Sequence, residues 1–245
     1  MAQRAAYLAA LGVTDWRQRR SLVAEGVRSV PAAAPCPAGM ATVPAVAVAD
    51  SGAMAAANAD TWDLLGAEVA ACTACALHAG RHCTVFGVGD RSARWLVVGE
   101  APGAEEDRQG EPFVGRAGKL LDAMLLAAGV SRAQVFIANI LKCRPPDNRN
   151  PLPAEVAQCL PFLERQIALL RPSLIIAVGS VAAQNLLATD VPVGRLRGKV
   201  HAFGAARTPL VVTYHPAYLL RSPAEKRKAW EDLKFARQVA GASVA

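Results

Sequence analysis

Short apolar runs alternate along this chain with longer stretches of helical spacing, and that alternation constrains the fold more than any other feature. The runs are Trp95-Leu-Val-Val98, Val135-Phe-Ile-Ala-Asn139, Leu174-Ile-Ile-Ala-Val178 and Leu210-Val-Val-Thr-Tyr-His215. Each reads as a strand. Between them, Lys119 to Ala128 has helical apolar spacing with Gly129 as its C-cap, and Pro153 to Leu170 is a helix with proline in its first turn. Val181 to Leu187 follows Gly179-Ser180 as a helix, and Pro223 to Val239 is the last one. Strands separated by helices predict an α/β fold, a parallel sheet covered on both faces. Ligands in such folds bind at the carboxyl ends of the strands. Those exits read Gly99-Glu100-Ala101-Pro102-Gly103, Asn139, Gly179-Ser180 and His215-Pro216. Glu100, Asn139 and His215 therefore bring three different hydrogen-bonding side chains to one edge of one sheet.

A chain of 245 residues can bury a full core, which excludes a disordered chain or a small disulfide scaffold. No apolar run approaches the roughly 18 residues of a membrane-spanning helix. The apolar stretch Ala5 to Val13 has only Arg4 before it and no small-residue cleavage site after it, so a cytoplasmic location is expected. From Pro31 to Ala59 the composition changes: 13 of 29 residues are Ala, 4 are Pro, and Asp50 is the only charge. Large apolar side chains that could offset ordering entropy are missing there, so this is read as a linker. As a coil it would span roughly 30 Å. The expected organisation is a basic segment 1–30, a linker 31–59 and a folded domain 60–245.

The formal net charge of +7 points to a polyanionic partner, nucleic acid before membrane. The head carries Arg4, Arg17, Arg19, Arg20 and Arg28 against Asp15 and Glu25, which is +3 of that total and leaves +4 for the remainder. The remainder has its own focus. Between Val191 and Ala224 there is no acidic residue, while Arg195, Arg197, Lys199, Arg207 and Arg221 are present. An ordinary solvated face mixes charges, so phosphate binding accounts better for this stretch.

Cys72-x2-Cys75 lies at the end of a helix expected to begin near Thr61, and Cys143 and Cys159 follow with fifteen residues between them. One CxxC with two further cysteines can ligate zinc or an iron-sulfur cluster, since both take four thiolates. Spacing does not choose between them, nor does it exclude Cys83; Cys36, in the linker, is read as a bystander. Cys143 stands four residues beyond Asn139, so a metal there would fix the strand end that carries Asn139.

Four motifs then occur in one order. Gly99-Glu-Ala-Pro-Gly103, Pro112-Phe-Val-Gly-Arg-Ala-Gly118, Asn139-Ile-Leu-Lys-Cys-Arg-Pro-Pro146 and His215-Pro-Ala-Tyr-Leu-Leu-Arg221 resemble, in order and spacing, the family 4 iron-sulfur uracil-DNA glycosylases. The resemblance covers about Thr61 to Val239. It implies a three-layer α/β/α sandwich with a central parallel sheet, and a 4Fe-4S cluster on Cys72, Cys75, Cys143 and Cys159. It also implies uracil excision from single- or double-stranded DNA. A glycosylase must flip its base out of the stack. Phe113 would stack on the flipped uracil, Asn139 would read its O4 and N3–H edge, and His215 would donate to O2 as negative charge builds on the leaving base. Glu100 and the backbone of Gly99, Ala101 and Gly103 would surround the sugar and O2 side. Ala101 stands where well-studied members of the superfamily carry a water-positioning Asp, which makes Glu100 the nearest carboxylate. Gly103 stands where they carry a Tyr that blocks the thymine methyl. The loop after His-Pro carries an apolar wedge in the superfamily, and by offset Leu219 is that wedge, with Tyr218 and Leu220 beside it.

The head, Tyr7-Leu-Ala-Ala-Leu-Gly-Val-Thr-Asp-Trp16 with Arg19-Arg20, resembles the amino-terminal peptide of the psi subunit of the bacterial clamp loader. This implies a replisome-docking peptide on a tether. The enzyme is expected to be a monomer and monofunctional, having no lysine nucleophile in its motifs. The competing reading is a metal-bearing nucleic-acid binding module without catalysis.

Overall fold

The computed structural model describes residues 53–242. Six strands form one sheet: β1 (Val88–Gly89), β2 (Trp95–Gly99), β3 (Phe136–Asn139), β4 (Leu174–Val178), β5 (Val200–Phe203) and β6 (Thr208–Thr213), in spatial order β1-β3-β2-β4-β6-β5. The four inner strands are parallel, as expected, with Gly99 opposite Asn139 and Val178 opposite Thr213. Both edges are antiparallel, which the expected wholly parallel sheet did not include. β5 alternates exposed and half-buried residues, and β1 is two residues long, so neither shows a continuous apolar run.

Every residue of β2, β3 and β4 is buried, and successive side chains enter opposite layers. Leu96, Val98, Phe136, Ala138, Ile175 and Ala177 share one core with Trp62 of α1 (Ala53–Ala71), with Val156, Leu163 and Ile167 of α4 (Pro153–Leu170), and with Ala183 of α5 (Ser180–Leu187). Trp95, Val97, Ile137, Leu174, Ile176 and Val178 share the other with Leu121 and Leu125 of α3 (Arg116–Ala127) and Leu233 and Ala236 of α8 (Lys226–Ala242). The result is three layers, α/β/α. Short helices α2 (Ala104–Gln109), α6 (Val193–Leu196) and α7 (Pro216–Arg221) follow strand exits or link strands.

The two helices Pro153–Leu170 and the one opening after Gly179 lie where the sequence pattern puts them. Two other boundaries move. α1 begins at Ala53 rather than near Thr61, because alanine has the highest helix propensity. The last seven residues of the expected linker are therefore helical; residues 31–52 and the basic head 1–30 lie outside the described residues. The final helix starts at Lys226, after a separate 3-10 turn at Pro223–Glu225.

Candidate active site and cysteine site

A cavity of about 850 Å³ opens at the carboxyl ends of β2, β3, β4 and β6. Glu100, Ala101, Gly103, Phe113, Asn139, His215 and Arg221 all line it. Gly99 lies beneath, at the end of β2. Residues from four motifs separated by more than a hundred positions thus meet in one space because the parallel strands end together.

Asn139 is 2% exposed, and its side-chain Oδ1 has no hydrogen-bond partner. A buried carbonyl oxygen without a donor is uncommon, because its desolvation is uncompensated. Its geometry depends on Gly99: a Cβ at that position would collide with Asn139 Oδ1 and would lie 2.7 Å from two ring carbons of Phe113. Only a residue without a side chain lets the amide and the ring approach each other here.

Phe113 is 6% exposed and adopts φ 55°, a left-handed backbone rarely taken by an aromatic residue. Several contacts hold it there. Arg132 donates to Pro112 O at 2.6 Å and to Phe113 O at 3.3 Å, while pairing with Asp122. Gly118, in the first turns of α3, leaves room for the Phe113 carbonyl, into which any Cβ would run. The ring centroid of Phe113 lies 5.6 Å from that of His215, with the planes 31° apart.

His215 is the N-cap of α7, and its Nδ1 accepts the N–H of Ala217 at 3.1 Å. An accepting Nδ1 carries no proton, so the neutral ring holds its proton on Nε2 and can donate it. Burial, helped by the nearby Arg221 charge, pushes the His215 pKa down to about 4. Gly179, at φ 96°, makes way for this ring: a Cβ there would sit 3.0 Å from His215 Cβ. Glu100 is half-buried, and burial raises its pKa.

Glu106 was not singled out in the sequence. Its carboxylate accepts N–H groups from Gly103 at 3.1 Å, Val114 at 3.2 Å and Gly115 at 3.4 Å, so it ties the first motif to the Phe113 loop. The cue was present, since an acid three residues after a helix N-cap commonly folds back on it. With Glu106 committed to backbone donors, Glu100 is the carboxylate of the cavity wall without a hydrogen-bond partner among the described residues.

The basic stretch divides. Arg195, Lys199, Arg207 and Arg221 are exposed. Arg197 is not free for a phosphate as expected: it makes two hydrogen bonds to Asp232, at 2.7 and 2.9 Å, donates to Lys228 O, and stacks 4.6 Å over the Tyr214 ring. Leu219 also departs from its expected role, being fully buried on the inner side of α7. Helical spacing turns its neighbour Tyr218 outward instead, 36% exposed, at the cavity rim and 5.1 Å from Tyr214.

A second, apolar cavity is lined by Cys72, Cys75, Cys143 and Cys159 together with Val69, Leu77, Leu141 and Phe162. All four thiols are free, and Cys83 does not line this cavity. Burial raises the pKa of Cys143, and that of Cys159 to about 11, opposed by the Arg81 and Lys142 cations respectively. Arg81 donates to Cys143 Sγ at 3.2 Å and to the carbonyls of Ala70 and Cys72 at the end of α1. The Lys142 backbone N–H donates to Cys159 Sγ, also at 3.2 Å. Among the described residues, no three Cys, His, Asp or Glu side chains gather in the manner of a single-ion site.

The profile of the uracil DNA glycosylase superfamily matches residues 86–234, which contain every strand exit of the cavity. The chain belongs to the uracil-DNA glycosylase superfamily. Within it, the chain is 40% identical over 188 residues to the type-4 uracil-DNA glycosylase of Archaeoglobus fulgidus, covering 74% of this chain and 94% of that protein. It is 44% identical over 168 residues to the type-4 enzyme of Pyrobaculum aerophilum, covering 66% and 86%. With the type-4 enzyme of Thermotoga maritima it shares 40% identity over 182 residues, covering 73% and 94%. In this uracil-DNA glycosylase superfamily member the four motifs, Cys143 and Cys159 fall within residues 86–234, and Cys72 and Cys75 precede them. Among the described residues, no helix is long and apolar enough to cross a membrane.

Proposed function

We propose that this chain is a DNA repair enzyme that flips uracil out of DNA and hydrolyses its N-glycosidic bond, leaving an abasic site. The observation that carries the reading is the unpartnered, buried Oδ1 of Asn139, a residue that lines one cavity with Phe113 and His215. Uracil offers the missing donor, its N3–H, while its O4 can accept from the Asn139 amide. Cytosine presents an acceptor and a donor in the opposite order, so the same amide orientation rejects it. Phe113 stacks on the flipped base, and His215 donates from Nε2 to O2 as charge accumulates there. A neutral donor held in place by Ala217 needs no reorganisation as the bond breaks. Glu100, the cavity-wall carboxylate left without a protein partner among the described residues, holds the water that attacks an oxocarbenium-like sugar, a dissociative course suited to the absence of an Asp at Ala101. Arg195, Lys199, Arg207 and Arg221 supply phosphate contacts, and Tyr218 is better exposed than Leu219 to enter the stack.

The four cysteines suit a 4Fe-4S cluster. They surround an apolar cavity rather than a single point, two of their sulfurs receive N–H donors, and two cations offset thiolate charge. Bound there, iron would replace the thiol protons and fix α1, the loop after β3 and α4 to one another. The cytoplasmic location, the monomeric state and the replisome-docking role of residues 1–30 belong to the same proposal, the last being tested by pull-down of a clamp-loader complex with that peptide.

Incubation of the protein with uracil-containing and matched thymine-containing single strands, followed by alkali, tests the activity. Uracil-dependent strand cleavage is expected; its absence would leave the non-catalytic binding module as the surviving reading. Iron and sulfide analysis of anaerobically purified protein separates a cluster from zinc.

A further inference from the structure

One buried ionisable group takes no part in the base chemistry described above. Lys142 is 1% exposed, yet its partners include no carboxylate. Its Nζ donates to the backbone carbonyl of Asn139 at 2.9 Å and to Gln166 Oε1 at 2.7 Å. Gln166, itself fully buried in α4, is held in turn by donating to Phe86 O at 2.9 Å. The backbone of Lys142 is equally committed: its N–H goes to Cys159 Sγ, and its carbonyl accepts from Val85 at 2.7 Å. A fully buried ammonium is retained only where something offsets its charge. The nearest candidate is the sulfur site, since Cys159 accepts from Lys142 and Cys143 is the next residue.

We propose that Lys142 is a positioning residue for base reading, coupling the four-cysteine site to the backbone that aims the Asn139 amide. This rests on the uracil-excision reading. The turn from Asn139 to Lys142 is pinned on one side by β2, where Ile140 N donates to Gly99 O and Leu141 N to Glu100 O, both at 3.0 Å. On the other side the ammonium closes the turn onto the Asn139 carbonyl and anchors it to α4, which also carries Cys159. Without that second restraint, the Asn139 side chain has a wider range of orientations relative to Phe113 and His215. The chemistry then loses alignment while the DNA-phosphate contacts, which lie on other elements, are untouched.

The test uses the full chain with Lys142→Met, which keeps length and apolar bulk but removes the charge, and Gln166→Leu, which removes one anchor of the ammonium. Iron and sulfide content and thermal melting are measured first, then single-turnover excision and the uracil-to-cytosine preference. Both variants are expected to retain cluster and fold. Lys142→Met should lower the single-turnover rate about tenfold or more, the scale of a small misalignment, with KM for DNA nearly unchanged and the preference for uracil reduced. Gln166→Leu should show the same pattern more weakly. A loaded, folded Lys142→Met protein with wild-type rate and selectivity would overturn the proposal. So would loss of the cluster in both variants with no change in selectivity, since that makes the lysine a structural support only. If the wild-type chain releases no uracil, the functional reading fails instead, and the two failures are told apart by that control.

Discussion

Replacing Gly99 by alanine tests the site at the point where one methyl group meets two of its working parts. The new Cβ would lie 2.7 Å from two ring carbons of Phe113, whereas ordinary contact begins at 3.4 Å. The difference, 3.4 less 2.7, is 0.7 Å of overlap with the ring, and the collision with Asn139 Oδ1 is more severe. The ring cannot retreat freely, because Arg132 holds the carbonyls of Pro112 and Phe113 and Gly118 abuts the Phe113 backbone. Asn139 has no slack either, being aligned opposite Gly99 in the β2–β3 pairing. Both side chains must therefore shift by an appreciable fraction of an ångström. Overpacking of this kind costs about 1–3 kcal/mol of stability, and a displacement near 1 Å in a positioning group costs on the order of 100-fold in rate. Gly99→Ala should thus remain folded while single-turnover uracil excision falls about 100-fold. Thermal melting and alkali cleavage of a uracil-containing single strand read the two effects separately. A folded variant within a few-fold of wild-type rate would show that Asn139 and Phe113 do not act in the arrangement described.

Acid titration reports on the His215 ring. Unfolded, it takes up a proton near its ordinary value of 6.5; folded, near 4. Between those values the unfolded chain binds the extra proton, so the stability contributed by the neutral ring is complete above pH 6.5 and is lost as pH falls towards 4. Urea midpoints of wild type and His215→Gln should diverge across that window, and parallel pH dependences would refute the neutral-ring assignment. Arg197→Ala should destabilise by about 3 kcal/mol, since it leaves the nearly inaccessible Asp232 unpaired, and should leave the salt dependence of DNA binding unchanged. Arg195→Ala or Lys199→Ala should instead lower the salt slope of DNA binding by about one without a change in melting temperature; the reverse pattern would return Arg197 to the phosphate contacts. Tyr218→Ala should weaken excision from duplex more than from single strands, whereas Leu219→Ala should act on stability, and an equal strand-type effect in both would refute their division of labour.

The order of strands and helices, the strand exits and the Cys72-x2-Cys75 pair were legible in the sequence because each is a local pattern: an apolar run, a turn, a spacing. The edge strands were not, because β5 is half exposed and β1 too short to show a period. Tertiary structure alone decided the division of the basic stretch. Nothing in the local sequence distinguishes Arg197 from Arg195, and only the packing of α8 against the sheet brings Asp232 to one of them. It likewise turned Leu219 inward and Tyr218 outward, since a six-residue helix exposes whichever face the neighbouring α3 leaves uncovered. The demand for glycine at position 99 shows the same limit. The residue is visible in the motif, but the reason for it, an amide and a ring closing on one point from forty residues of chain, exists only once β2 and β3 are paired.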